Sequence, residues 1–152
     1  MAYECSVEDR PAQYTVSTLA RTPVDKLPEI LDAAFGAVYG YLMELGEKPA
    51  GPPFVAYYNM DMQDLNLEIG FPVAKSLPAQ GELRSGQIAG GRAATVLHVG
   101  QYDKLHLAYD ALMKWVAEQG VEPAGPAYEF YLNDPDSVAP EELQTQIVFP
   151  LA

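Results

Sequence analysis

Two stretches of the chain carry apolar residues at helical spacing. Leu27, Ile30, Leu31, Ala34, Val38, Leu42 and Leu45 recur every three or four positions, and so do Leu105, Ala108, Tyr109, Leu112 and Val116. Each stripe predicts an amphipathic helix with one face to bury. Gly46 and Gly120 come after the stripes, where glycine can take the left-handed backbone that stops a helix. Runs rich in Val, Thr, Tyr and Leu at 12–20 and 92–99 predict strands leading into the helices. Further strands are predicted at 54–59, 65–71, 128–133 and 143–149. The first two read as one antiparallel hairpin and the last two as another. Polar loops separate them, containing Asp61 and Asp64 in one case and Asp134-Pro135-Asp136 in the other. Residues 74–91, with Pro78, Gly81, Gly86, Gly90 and Gly91, read as a connector.

The pattern is a duplication. Pro49-Ala50-Gly51-Pro52 recurs as Pro123-Ala124-Gly125-Pro126, 74 positions on, and Tyr57 and Asn59 recur as Tyr131 and Asn133. Towards both ends the offset becomes 78: Asp25-Lys26-Leu27 recurs as Asp103-Lys104-Leu105, and Ile69-Gly70-Phe71-Pro72-Val73 as Ile147-Val148-Phe149-Pro150-Leu151. The first repeat is therefore about four residues longer in its helix. One domain of 152 residues is expected, with repeat one at about 10–73, the connector at 74–91 and repeat two at about 92–151. The expected fold is α+β. Duplicated strand-helix-strand-strand units would be related by a pseudo-twofold, with antiparallel sheets, helices on one face and a ligand cleft between the halves.

Strand alternation nominates side chains for that cleft. Tyr128, Phe130 and Leu132 are apolar enough to meet the helices, which leaves Glu129, Tyr131 and Asn133 on the open face. The matching strand gives Val55, Tyr57 and Asn59 there, and the next strand gives Asn66, Glu68 and Gly70. Glu129 stands out between two aromatic residues in an otherwise apolar strand. It is either a solvated carboxylate on an exposed sheet face, or one in an aromatic pocket with a raised pKa or a cation to meet. Tyrosine beside a carboxylate suits a flat lipophilic cation. Tyr102, between a strand and the second helix, either closes one end of the cavity or covers the helix start. Trp115 reads as core; His98 and His106 read as structural or solvated.

Charge sharpens this reading. Nine Lys and Arg stand against 21 Asp and Glu, a formal net charge of −12. That argues against direct nucleic-acid binding and against anionic membrane surfaces, and it favours cationic ligands. Cys5 is the sole cysteine and the histidines are two, which offers no metal spacing and no intramolecular disulfide. No metal and no cofactor are expected. The start of the chain has neither the basic region nor the apolar core of a signal peptide, so a cytoplasmic location is expected. There is no phosphate-loop or serine-elbow motif.

The run Gly91-Arg92-Ala93-Ala94-Thr95-Val96-Leu97-His98-Val99-Gly100-Gln101-Tyr102-Asp103-Lys104-Leu105, then Ala108-Tyr109, Leu112 and Trp115, resembles the GyrI-like small-molecule-binding domain, also called the AraC effector-binding domain. Gly125, Glu129, Tyr131, Asn133-Asp134-Pro135, Thr145, Ile147 and Pro150 continue the resemblance, as does Ile69-Gly70-Phe71-Pro72-Val73 in the first half. It covers about residues 10–151. It implies a duplicated α+β domain with a ligand cleft between halves. It also implies that the Glu of the Glu-x-Tyr pattern, here Glu129 with Tyr131 beside it, meets cationic aromatic drugs. Gln101 stands where many members have proline, which bears on the role of Tyr102. Many members are fused to a DNA-binding helix-turn-helix, for which this sequence has no residues to spare.

The expectation is a stand-alone multidrug-type binding protein for lipophilic, cationic aromatic compounds, with Glu129, Tyr131, Tyr57, Val55, Glu68 and Tyr102 as ligand-binding residues. One alternative is a hydrolase of strained electrophiles such as cyclopropane-bearing toxins. Glu129 would then be the general base, with Tyr131 or Tyr102 as proton donor. The other is a gyrase-inhibitor-like factor that binds a protein partner.

Overall fold

The helical stripes become two helices, α1 (Leu27–Leu45) and α2 (Leu105–Gln119). Ala34, Val38, Tyr41 and Leu42 are the buried side of α1, and Leu105, Ala108, Leu112 and Val116 that of α2. Gly46 and Gly120 end them with φ of 71° and 70°. At 19 and 15 residues the helices differ by the four residues that the change of offset requires. Each is entered through a short 3-10 turn, Val24–Lys26 and Tyr102–Lys104, so the repeated Asp-Lys-Leu marks the same structural step twice.

This computed structural model describes residues 3–134 and 136–152; Met1, Ala2 and the loop residue Pro135 lie outside the described residues. The fold is α+β, with eight antiparallel strands among the described residues: β1 (Cys5–Arg10), β2 (Gln13–Thr22), β3 (Phe54–Tyr57), β4 (Leu65–Val73), β5 (Arg84–Ile88), β6 (Gly91–Val99), β7 (Ala127–Tyr131) and β8 (Gln144–Pro150).

The chain forms two compact units. One takes the chain up to Pro11 together with Gly90–Ala152, the other Ala12–Ala89. In the first, strands run β1-β6-β8-β7 and α2 packs on Ala94, Val96, Ile147 and Phe149. In the second, they run β3-β4-β2-β5, and Val38, Tyr41 and Leu42 of α1 pack with Val16, Val73 and Leu77. The hairpins β3–β4 and β7–β8 form as predicted. Two strands are additional to those the sequence predicts. β5 lies inside the expected connector and pairs with β2, while β1 pairs with β6. Each half thus gains an edge strand.

The repeated residues have matching structural work. The Ala50 and Ala124 amides donate to the Pro72 and Pro150 carbonyls at 2.8 and 2.7 Å. Asn59 Oδ1 accepts from the Asn66 amide, and Asn133 Oδ1 from the Gln144 amide, each at 2.9 Å. The Pro-Ala-Gly-Pro turn and the asparagine therefore pin each hairpin at its two ends. Asn133 is a loop staple.

Candidate functional site

Register decides which way Glu129 points. It lies opposite Ile147, which lies opposite Val96, and both belong to the core under α2. Directly paired residues of antiparallel strands project to the same side. Glu129 and Tyr131 therefore face α2, and Tyr128 and Phe130, opposite Val148 and Gln146, face away from it. This reverses the expected facing. The apolar set is a poor guide because this strand is buried on both sides: Tyr128, Glu129 and Phe130 are all buried.

Glu129 is 5% exposed. The Tyr109 hydroxyl, from α2, donates to its Oε2 at 2.5 Å, and the Tyr131 hydroxyl donates to Oε1 at 2.7 Å. Among the described residues no Lys, Arg or His forms an ion pair with it; the recorded pairs are Arg10–Glu8, Arg21–Asp64 and Lys75–Glu47. Burial raises its pKa above the ordinary carboxylate range, and the two tyrosine hydrogen bonds oppose that rise. The helical stripe places Tyr109 in the core of α2. It does pack there, its ring 6.0 Å from that of Phe149, but its hydroxyl reaches past the core to the carboxylate. The Ala108-Tyr109 pair in the helical run is its only sequence signal.

Tyr102 joins this group. Its ring meets that of Tyr131 edge-on, with centroids 5.9 Å apart, and it is 41% exposed. Its phenol pKa is raised by burial first, then by the negative charges of Asp134 and Glu129. Gln101 holds φ −65° and ψ 148°, close to the φ −65° and ψ 153° of Pro23 at the matching turn, so glutamine here keeps the backbone that proline takes there. His98 fastens the turn from beneath: its Nε2 faces the Gln101 carbonyl at 3.0 Å and its Nδ1 the Tyr3 hydroxyl at 2.9 Å. Trp115 is half-buried against the α2 core, as expected of a core residue.

The other nominated residues lie in the second unit and do not share one face. Val55 and Tyr57 pair with Ile69 and Leu67, on the side of β4 that carries Phe71 to the α1 rings of Phe35 and Tyr39. Glu68 projects to the opposite side, where it accepts from the hydroxyls of Ser17 and Tyr58, each at 2.5 Å. A single open face lined by Val55, Tyr57 and Glu68 together is thus ruled out by alternation along β4. Glu68 does lie on the helix-free side, as predicted; Val55 and Tyr57 do not.

The duplication isolates what differs. At the offset of 74, Glu129 falls on Val55 while Tyr131 falls on Tyr57. The carboxylate is thus present in one copy of the repeated scaffold and absent from the other. No group of His, Cys, Asp and Glu able to hold a metal ion occurs among the described residues. No helix among them is long and apolar enough to cross a membrane.

The profile of the GyrI-like small-molecule-binding domain matches residues 3–152. The chain belongs to this family. The GyrI-like domain is similar to the C-terminal domain of EcmrR, with a TM-score of 0.85, 21% identity, and 100% of this chain and 99% of that one covered. It is similar to EcmrR in its DNA complex at a TM-score of 0.88 and 23% identity, covering 99% of this chain; it spans 58% of that longer protein. A hydrolase from Listeria innocua matches at a TM-score of 0.72 and 12% identity, with 99% and 93% covered. SAV2435 bound to tetraphenylphosphonium matches at 0.65 and 9%, with 100% and 94% covered. All these identities are below 25%, and the likenesses show the fold. No curated protein matches the chain.

Proposed function

We propose that this GyrI-like domain binds lipophilic aromatic cations, with Glu129 supplying the charge that attracts them. The observation that carries the reading is a buried carboxylate held by two tyrosine hydroxyls with no cationic partner among the described residues. Burying an ionised carboxylate without a countercharge is unfavourable. An arriving cation supplies that charge, and Tyr131 and Tyr102 offer ring faces to a delocalised one. A net charge of −12 favours its approach. The tetraphenylphosphonium on SAV2435 is a ligand of this chemistry on a similar fold.

The test is a fluorescence titration of wild type and Glu129→Gln with tetraphenylphosphonium, a rhodamine and neutral triphenylphosphine oxide, using Trp115 as reporter. Wild type is expected to prefer the cations to the neutral compound by about tenfold or more, a difference of about 1.4 kcal/mol, and the variant to lose that preference. Equal binding of cations by both proteins would overturn the reading.

A second reading is a hydrolase of strained electrophiles. It is favoured by the raised pKa of Glu129, which makes the ionised carboxylate a stronger base, and by tyrosine hydroxyls within proton-transfer reach. Turnover of excess substrate, lost in Glu129→Gln, separates it from stoichiometric binding.

A further inference from the structure

Thr145 on β8 lies directly opposite Tyr131 on one side and His98 on the other. Such pairs place Cβ atoms about 5 Å apart on one face, so Thr145 stands between the two rings on the α2 side. It is 0% exposed, and its Oγ1 has no hydrogen-bond partner among the described residues. Its neighbours are turned elsewhere. The Tyr131 hydroxyl goes to Glu129, and both His98 nitrogens are engaged by Gln101 and Tyr3. A buried hydroxyl left unpaired is costly, and native proteins keep few of them. Valine would fill the same space in the same strand without that cost, so packing gives no reason for threonine here.

Glu129 and Thr145 flank Tyr131, one two residues along its own strand and the other directly across from it. A flat ring laid against Tyr131 has the carboxylate along the strand and the hydroxyl across it, on the same face of the sheet. We propose that Thr145 is a second polar anchor of the Glu129 site. Its preferred ligands are then aromatic cations that also carry a hydroxyl, amino or carbonyl group on the ring. A threonine hydroxyl both donates and accepts, so it can pair with any of these. The inference rests on the reading of Glu129 as the cation-attracting group.

The test uses matched probes: tetraphenylphosphonium, and its analogues with a single 3- or 4-hydroxyphenyl ring. Wild type, Thr145→Val and Thr145→Ser are titrated, with Glu129→Gln as control. At least one hydroxyl isomer is expected to bind wild type about five- to tenfold more tightly than the parent cation, the worth of one net hydrogen bond. Thr145→Val should lose that gain while binding the parent within about twofold of wild type, and its ligand-free Tm should be equal or higher. Thr145→Ser should keep the gain. The proposal is overturned if neither isomer gains in wild type, if the gain survives in Thr145→Val, or if that variant melts lower, since the hydroxyl would then already be satisfied. Loss of the Glu129 reading would look different: Glu129→Gln would bind the parent cation as wild type does.

Discussion

The hydroxyl of Tyr109, on α2, lies 2.5 Å from Oε2 of Glu129, on β7. A helix that packs on the sheet by apolar contacts thus also reaches the buried carboxylate on the face that it covers. The same side chain contributes a ring to the core beside Phe149 and a donor to the site. Core packing and the electrostatics of Glu129 are therefore linked through one residue.

Removing that donor tests the link. Tyr109→Phe keeps the ring and deletes the bond that holds the Glu129 pKa down, so the carboxyl should move further above its ordinary range. A buried acceptor that loses a partner costs about 1–3 kcal/mol. The variant should unfold at lower denaturant concentration than wild type at pH 8, and the gap should narrow at acid pH, where Glu129 is protonated.

Stability should also follow the charge of Glu129 itself. Its folded pKa is raised, mainly by burial, above the unfolded value of about 4.3. The folded state then holds the proton more tightly, so this residue's contribution is most favourable below the unfolded pKa. It is lost as pH rises through the folded one, at about 1.4 kcal/mol for each pH interval of one between the two pKa values. Glu129→Gln removes that loss. Its melting temperature relative to wild type should increase with pH above about 4.3 and then level off. A difference that stays flat from pH 4 to 8 would show that the carboxyl titrates alike in the folded and unfolded chain.

Cation binding should run the opposite way with pH. Only the ionised carboxylate attracts a quaternary cation, so affinity for tetraphenylphosphonium should rise as pH increases through the raised pKa and then plateau. Tyr109→Phe should move the midpoint of that rise upwards. Such a cation carries no titratable proton, so isothermal titration across pH 4–9 reads the protein's group directly.

Much of this was legible in the chain. The helices, their glycine stops and the hairpins follow from apolar spacing and from the repeated turn residues, because those features act locally. The edge strands did not show. β1, Cys-Ser-Val-Glu-Asp-Arg, and β5, Arg-Ser-Gly-Gln-Ile, are polar, as edges exposed to solvent tend to be, and their pairing is set by distant partners. Glu129 was legible as an anomaly in an apolar strand. Its facing was not, since alternation separates two faces without saying which one a helix covers. Tyr109 was hidden because one residue can satisfy a helical stripe and still carry a polar group beyond it. Thr145 showed only as one position of the family resemblance, because an unpaired hydroxyl is a property of its surroundings.

The glycines divide by what surrounds them. Gly36 and Gly40 sit inside α1, exposed, and a Cβ on either would meet nothing within 4 Å. Glycine in a helix interior costs about 0.5–1 kcal/mol relative to alanine, through the backbone freedom it must give up. Gly36→Ala and Gly40→Ala should each stabilise by about that amount and, being one helical turn apart with open space around both, should add. Gly70 on β4 is the reverse case. A Cβ there would run into the Val16 carbonyl oxygen and lie 2.7 Å from the Ser17 Cα, both backbone atoms of the paired strand β2. Backbone cannot yield as a flexible side chain can, so Gly70→Ala should cost several kcal/mol or prevent folding. Urea midpoints of the three variants check this, and a Gly70→Ala protein as stable as wild type would mean that β2 and β4 do not approach so closely.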